Sequence, residues 1–377
     1  MTATIGNFNP GPAALPRPVL ERICEGLRDF EGTGISILET SHRSPEYRRV
    51  HEGAIEALRQ LLGIPPDYAV LFMGGGATLQ FALVALNLLE PGRPGEYAIT
   101  GRWSQKALQE AQKALALLGS DYAVRAIWSS EATNFDRVPR PDELSVSPEA
   151  SYLHYTSNNT IAGTQFHYIP EVPEGALLVC DASSDIASRP LEVERFGLIY
   201  AGAQKNLGPA GVTVVIASPE ALERSRARAK PLPSLLSYEA IGAKNSLLNT
   251  PPVFAIYALK LVVEHYLREG GLPALAERNE RKARLLYDVI DRSRGFYRGS
   301  ARPESRSRMN VTFRLPSEEL EERFLSEAER EGLIGLRGHR SVGGLRASLY
   351  NAVPLEAVRA LAEFMREFQR RYDYGCG

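Results

Sequence analysis

"YAVLFMGGGATLQFALVALNLL", residues 68–89, sets a short apolar run, three glycines and a longer apolar run in succession. The run "YAVLFM" has the length and composition of a buried strand. "GGGAT" reads as a loop, and "LQFALVALNLL" as a helix apolar almost all round, hence one enclosed by other elements. The order strand, glycine loop, buried helix then recurs. "YAITG" (97–101) leads into a helix through "SQKALQEAQKALALLG" (104–119), and "ALLVCDAS" (176–183) is followed in the same way by "SDIASRPLEV" (184–193). Alternation of this kind predicts an α/β fold with crossover connections, a mostly parallel sheet and helices on both faces. In such sheets, ligands bind beyond the carboxyl ends of the strands.

Outward from this unit, residues 46–62 carry Val50, Ala54, Ile55, Leu58, Leu61 and Leu62 at helical spacing, ended by Gly63 and the prolines at 65 and 66. "GLIYAGA" (197–203) and "VTVVIAS" (212–218) read as two further buried strands. After about residue 250 the rhythm changes. Helical stretches at 254–271 and 272–293 precede a strand "MNVTFRL" (309–315), a charged helix (317–332), a strand "GLRASLY" (344–350) and a last helix (355–372). This predicts an N-terminal segment over 1–15, a large domain over 16–255 with the mostly parallel sheet, and a smaller C-terminal α+β domain over 256–377.

The composition narrows the function classes. With 377 residues, 44% hydrophobic and 24% charged, the chain is ordinary for a globular protein with a sizeable core. A formal net charge of -1 gives no global attraction to nucleic acid or an anionic membrane, so anion recognition must be local. Cys24, Cys180 and Cys376 are few and widely spaced, with no zinc-ligand pattern, so no metal is expected and a reducing, cytoplasmic setting is. The opening residues lack the pattern of an export signal, and no apolar run reaches membrane-spanning length.

Four features stand at expected strand ends. The glycine loop before a helix leaves backbone N–H groups for a phosphate, although three glycines can equally form a turn with no ligand. Trp103 follows "YAITG", where it can pack in the core or stack on a planar ligand. Asp181 ends an apolar strand, either as a cap or as a buried charge held for a cation, with Asp185 a weaker rival. Lys205 lies at a Gly/Pro-rich turn between two buried strands, where a structural lysine would have to reach solvent. A partly desolvated lysine has a lowered pKa and forms a Schiff base with an aldehyde. Lysine, carboxylate, aromatic and phosphate cup together are the requirements of a pyridoxal 5′-phosphate site. Two cationic groups add to them. "SHRSPEY" carries His42 and Arg43, and "GLRGHRSVGGLRAS" carries Arg337, His339, Arg340 and Arg346. Solvated surface charge is the ordinary reading of an arginine, but glycines flanking the second group favour a loop that captures a multiply charged anion.

The stretches "FNPGPAALP" (8–16), "SHRS" (41–44), "GGGATLQF" (74–81), "TSNNTIAGTQ" (156–165), "IYAGAQKNLGPAG" (199–211), "NTPP" (249–252), "RSRMNVTF" (306–313) and "GHRSVGGLRASLYNA" (338–352) resemble the phosphoserine aminotransferases. The resemblance spans nearly the whole chain. It implies a fold type I, class V aminotransferase that works as a homodimer with shared active sites. Such an enzyme converts 3-phosphohydroxypyruvate and L-glutamate into O-phospho-L-serine and 2-oxoglutarate, the transamination of serine biosynthesis. In many bacteria it also serves a phosphohydroxythreonine step of vitamin B6 (pyridoxine) biosynthesis. By position, the resemblance implies that Lys205 holds the cofactor, Asp181 faces its pyridine nitrogen and Trp103 stacks on its ring. Thr160 would contact the ring hydroxyl side; Ala77, Thr78 and Gln204 would hold the cofactor phosphate, with Asn249 and Thr250 reaching it from the partner subunit. His42, Arg43, His339, Arg340 and Arg346 would bind substrate, Arg346 at a carboxylate. Some members carry Arg directly after the three glycines, where this chain has Ala77. The alternatives are another class V activity, such as alanine:glyoxylate transamination or cysteine desulfuration, and a non-catalytic protein that binds a phosphorylated metabolite.

Overall fold

The computed structural model describes residues 5–228 and 230–373. Seven strands form the central sheet: β1 (Ala69–Met73), β2 (Gly95–Ile99), β3 (Val124–Ser129), β4 (Tyr152–Thr156), β5 (Leu177–Asp181), β6 (Leu198–Gly202) and β7 (Thr213–Ala217). Their spatial order is β1-β7-β6-β5-β4-β2-β3. Only β7 runs antiparallel to its neighbours, so the sheet is mostly parallel, as expected.

Side chains alternate across the sheet and build two cores, one per face. On β5, Leu178 and Cys180 enter the core shared with α1 (Arg17–Arg28) and α2 (Pro45–Leu62), while Leu177 and Val179 enter the core beneath α3 (Gly76–Leu88) and α4 (Arg102–Leu118). Two short helices, α5 (Pro219–Arg226) and α6 (Tyr238–Gly242), pack on the α3 side. Helix α2 starts where Ser44 accepts a hydrogen bond from the Tyr47 amide and stops at Gly63 in the left-handed region.

Helix α7 (Val253–Arg268) gives Ile256, Leu259, Val262 and Val263 to the α1/α2 core. A boundary at residue 255 would therefore cut a helix that belongs with the large sheet. The following α8 (Gly271–Arg292) starts on the same α1/α2 core through Leu272 and Leu275, and from Ala283 onward packs on a third core with α9 (Glu318–Arg330), α10 (Leu355–Tyr372) and an antiparallel sheet of β8 (Arg298–Gly299), β9 (Asn310–Arg314) and β10 (Leu345–Ser348). The N-terminal segment joins this unit too. Gly6–Asn7 pair with Leu333–Ile334, and Phe8 is buried in the same core.

One expected helix does not form. Residues 184–193 are a succession of turns, because Ser188 turns its hydroxyl to the Asp185 carbonyl, Ala187 is left-handed (φ 56°) and Pro190 follows. Among the described residues no helix is long and apolar enough to cross a membrane, and no cluster of His, Cys, Asp and Glu is placed to hold a metal.

Candidate active site

The carboxyl ends of β1, β2, β4, β5 and β6 open on one cavity of about 310 Å³. Its walls include Gly76, Ala77, Thr78, Trp103, Thr160, Asp181, Gln204, Lys205, His339 and Arg346. Residues far apart in the chain thus meet at the sheet edge the alternation predicted. A larger cleft of about 700 Å³ lies elsewhere, around His167, Arg189 and Arg195, and contains none of the expected residues.

Asp181 closes β5 and is 4% exposed. Its Oδ1 accepts from the Ser183 amide at 3.0 Å and the Ser183 hydroxyl at 2.6 Å. Burial raises this carboxyl above its ordinary value, against the pull of both Ser183 bonds and of the Lys205 charge. Asp185, the rival, is taken up elsewhere: it accepts from the Ser157 hydroxyl and the Gln165 amide and does not line the cavity.

Lys205 sits in the turn after β6. Burial lowers its amine to about 8, with Asp181 opposing and Arg346 reinforcing the shift. Gly11 lies against its stem. A Cβ there would stand 3.2 Å from Lys205 Cγ, on a backbone with φ +128° that only glycine adopts freely. The charge that looked misplaced in the sequence is therefore recessed at the cavity wall, with its nearest acid on the adjacent strand.

Trp103 belongs to the first turn of α4, and its Nε1 donates to Thr160 Oγ1 at 3.1 Å. The Thr160 carbonyl accepts from Arg346 Nη1 at 3.0 Å. Thr160 thus joins the aromatic wall to the cationic one. Arg346 is 6% exposed on β10, and its Nε has no partner. His339 lines the same cavity. Burial lowers its pKa, and so do the charges of Arg346, Arg340 and Arg102.

The remaining expected residues are not gathered by a single chain. His42, Arg43, Asn249, Thr250 and Arg340 do not line the cavity; Arg43, Asn249, Thr250 and Arg340 are exposed. Sequence reasoning also overlooked residues that belong here. Thr156, Asn158, Ser183 and Ser184 line the cavity. The only local signal for Ser183 was its position two residues after an aspartate, the spacing of an Asx turn.

Helix α3 begins with Gly75 at φ +81°, where a Cβ would stand 2.7 Å from Leu79, and no side chain caps its first turn. The N–H groups of that turn are therefore left for a phosphate to occupy. The Thr156 hydroxyl and Arg346 Nε are buried without partners, and the Asp181 carboxylate takes both its hydrogen bonds on one oxygen. These donors and acceptors fit a ligand with a phosphate at one end and a protonated ring nitrogen at the other. Cys24 is exposed on α1, and Cys180 is buried with its thiol pushed up by burial. Neither lines the cavity; Cys376 lies outside the described residues.

Comparison with known proteins identifies the family. The family model of the class-V aminotransferases matches residues 5–361. A phosphoserine aminotransferase of Geobacillus kaustophilus (strain HTA426) is 54% identical over 366 residues, covering 97% of this chain and 98% of that protein. The solved phosphoserine aminotransferase of Bacillus circulans subsp. alkalophilus superposes with a TM-score of 0.92 at 48% identity, over 98% of this chain and 99% of that one. A PLP-bound phosphoserine aminotransferase from Trichomonas vaginalis gives 0.89 at 37%, over 96% and 100%. The fold is that of the fold type I enzymes. Matched by the family model over residues 5–361 and by a relative 54% identical over 97% of its length, the chain belongs to the class-V aminotransferases and, within them, to the pyridoxal phosphate-dependent phosphoserine aminotransferase family.

Proposed function

We propose that this chain transfers the amino group of L-glutamate to 3-phosphohydroxypyruvate, giving O-phospho-L-serine and 2-oxoglutarate. One observation carries the reading. A lysine and a carboxylate on adjacent strand ends share a cavity with a helix N-terminus on one side and Arg346 with His339 on another. The first three suit the cofactor, and the last two suit a substrate with two anionic ends.

When bound, pyridoxal phosphate supplies the aldehyde that captures the amino group and the ring that takes up the electron pair released at the substrate α-carbon. The chain supplies the rest. Lys205 Nζ, lowered to about 8, moves the proton at the α-carbon, because enough of it is uncharged near neutrality to accept and return a proton. Asp181 uses Oδ2 to hold a proton on the ring nitrogen while Ser183 occupies Oδ1. Trp103 would stack on the bound ring, and Thr160 supports both Trp103 and Arg346. Ala77 and Thr78 at the start of α3, with Gln204, hold the phosphate. Arg346 holds the substrate carboxylate, and His339 lies nearer the substrate phosphate.

The enzyme works as a homodimer in this reading. Exposed Asn249 and Thr250 would reach the cofactor phosphate of a second copy, and His42, Arg43 and Arg340 would bind substrate. Ile35 and Leu38, 43% and 64% exposed on the segment leading to His42, are the apolar surface such a contact would cover.

A coupled assay of glutamate against phosphorylated and unphosphorylated keto acids tests the reading, with the phosphohydroxythreonine-derived acid included. Turnover of 3-phosphohydroxypyruvate at a kcat/KM well above that of unphosphorylated acids is expected. Activity confined to glyoxylate and other unphosphorylated acids would overturn the substrate assignment and leave the cofactor assignment standing.

A further inference from the structure

Behind the cavity, three segments that carry site residues are tied together by side chains that do not line it. Asn206 directly follows Lys205. Its Nδ2 donates to the Ile186 carbonyl at 2.9 Å, and its Oδ1 accepts from the Asn351 amide at 3.0 Å. Its carbonyl accepts from the Tyr266 hydroxyl of α7 at 3.0 Å. Asn351 lies in the turn after β10, the strand of Arg346. Its Nδ2 donates to the Ala187 carbonyl and its Oδ1 accepts from Asn279 of α8, both at 2.8 Å. Asn279 also donates to the Ser188 carbonyl at 3.1 Å. Lys282, fully buried on α8, donates to the carbonyls of Leu349, Tyr350 and Val353 in the same turn. Residues 186–188 belong to the segment that follows Asp181 and forms turns instead of a helix.

Asn206, Asn279, Lys282 and Asn351 are at most 2% exposed, and Asn279 Oδ1 has no partner among the described residues. Most of their partners are backbone groups, among them the carbonyls of Ile186, Ala187, Ser188 and Leu349, which apolar side chains in their place would leave buried and unpaired. Directional bonds also provide a fixed separation, whereas apolar contacts can slide. The separations fixed here are those among the strand ends of Asp181, Lys205 and Arg346.

We propose that Asn206 and Asn351 are positioning residues for amino transfer: they hold Lys205, which moves the α-carbon proton, at a set distance from Arg346, which holds the substrate carboxylate. The proposal rests on the roles given to Lys205 and Arg346 above. Proton transfer needs the amine within hydrogen-bond reach of the α-carbon proton, and a displacement of about 1 Å can cost about a hundredfold in rate.

The test is steady-state kinetics of the holoenzyme well below its melting temperature, with borohydride fixation of the cofactor to Lys205 as a second readout. Asn351→Ala removes the Ala187 and Asn279 bonds and keeps the amide bond to Asn206. Asn351→Asp keeps an acceptor for Asn279 and sets a carboxylate oxygen against the Ala187 carbonyl. Each is expected to lower kcat about ten- to hundredfold. KM for glutamate should stay within about threefold of the wild-type value, because Arg346 itself is intact. The fraction of chains in which borohydride fixes the cofactor to Lys205 should not change. Tyr266→Phe removes one bond to Asn206 without altering volume much, and is the arm that folds if the others do not; about a threefold loss of kcat is expected there. A kcat within about twofold of wild type in every folded variant, with only the melting temperature lowered, would make the network a staple and overturn the proposal. So would loss of fixed cofactor in proportion to lost activity. A wild-type protein that fails to transaminate any phosphorylated keto acid overturns the functional reading instead.

Discussion

The Asp181 carboxylate takes both of its hydrogen bonds from Ser183, and takes them on Oδ1 alone. The Ser183 hydroxyl is itself held by the Gly202 amide at 3.2 Å, so the carboxylate is anchored to two strand ends. The geometry aims Asp181 and keeps Oδ2 available. Ser183→Ala removes one charge-assisted bond, worth about 1.5 kcal/mol, and should lower kcat about tenfold. Restoration by Ser183→Thr checks that the hydroxyl is responsible; an unchanged kcat in Ser183→Ala would show that the amide bond alone suffices.

Asp181→Asn keeps the shape and removes the charge. A loss of at least about a hundredfold in kcat is expected, with cofactor affinity reduced far less. Equilibrium titration of the cofactor-free protein with pyridoxal phosphate, alongside kcat, separates the two effects. Near-wild-type turnover would mean that another group holds the ring proton.

Lys205→Ala should abolish turnover and the borohydride-fixed cofactor together. A finer test uses the pH dependence of the amine in cofactor-free protein. Below about 8 it is mostly charged and above that mostly neutral, so its rate of reaction with an acylating reagent should rise through about pH 8 and then level off. The folded value lies below the ordinary 10.5, so the folded state binds fewer protons than the unfolded one between the two values, and stability climbs with pH across that window. Below it the cost of burying the charge is fully present. Lys205→Met should therefore stabilise cofactor-free protein more at about pH 7 than at about pH 11, as thermal melts would show. Equal stabilisation at both would mean the amine titrates at its ordinary value.

Arg346→Lys keeps the charge and loses the forked donor geometry. KM for glutamate should rise by about ten- to hundredfold, with kcat less affected. If KM rises for the phosphorylated acid alone, Arg346 belongs at the phosphate end.

Arg102 stands beside Trp103, and its charge reaches His339. It is exposed and does not itself line the cavity. Arg102→Ala is expected to raise KM for the phosphorylated acid about three- to tenfold and to leave unphosphorylated acids unchanged. A uniform effect on both would assign it a general role in shaping the entrance.

Much of the site was legible because its parts announce themselves locally. A lysine at a Gly/Pro turn between apolar runs, an aspartate ending another, and glycines before a buried helix each break an expected pattern, and Lys205, Asp181, Ala77 and Thr78 all line the cavity. The turns at 184–193 were misjudged because the small and apolar residues there permit a helix, while the hydrogen bonds of Ser188 and Asn206 hold the backbone otherwise. Asp181 could not be fully separated from Asp185 in one dimension. Their difference lies in partners, since Ser157, just past β4, and Gln165, in the short hairpin that follows, claim Asp185.

Hydrophobic periodicity and glycine placement depend on neighbours a few residues apart, so strand and helix alternation, the parallel sheet and the ligand edge could all be read along the chain. Convergence is a different kind of property. Thr160 and Arg346 are 186 residues apart yet share a hydrogen bond, because strand order and the packing of the smaller sheet bring their backbones together. No local pattern encodes that distance. Which cations face the cavity, which are left at the surface, and how Ser183, Asn206 and Asn351 hold the reacting groups follow from packing over the whole chain.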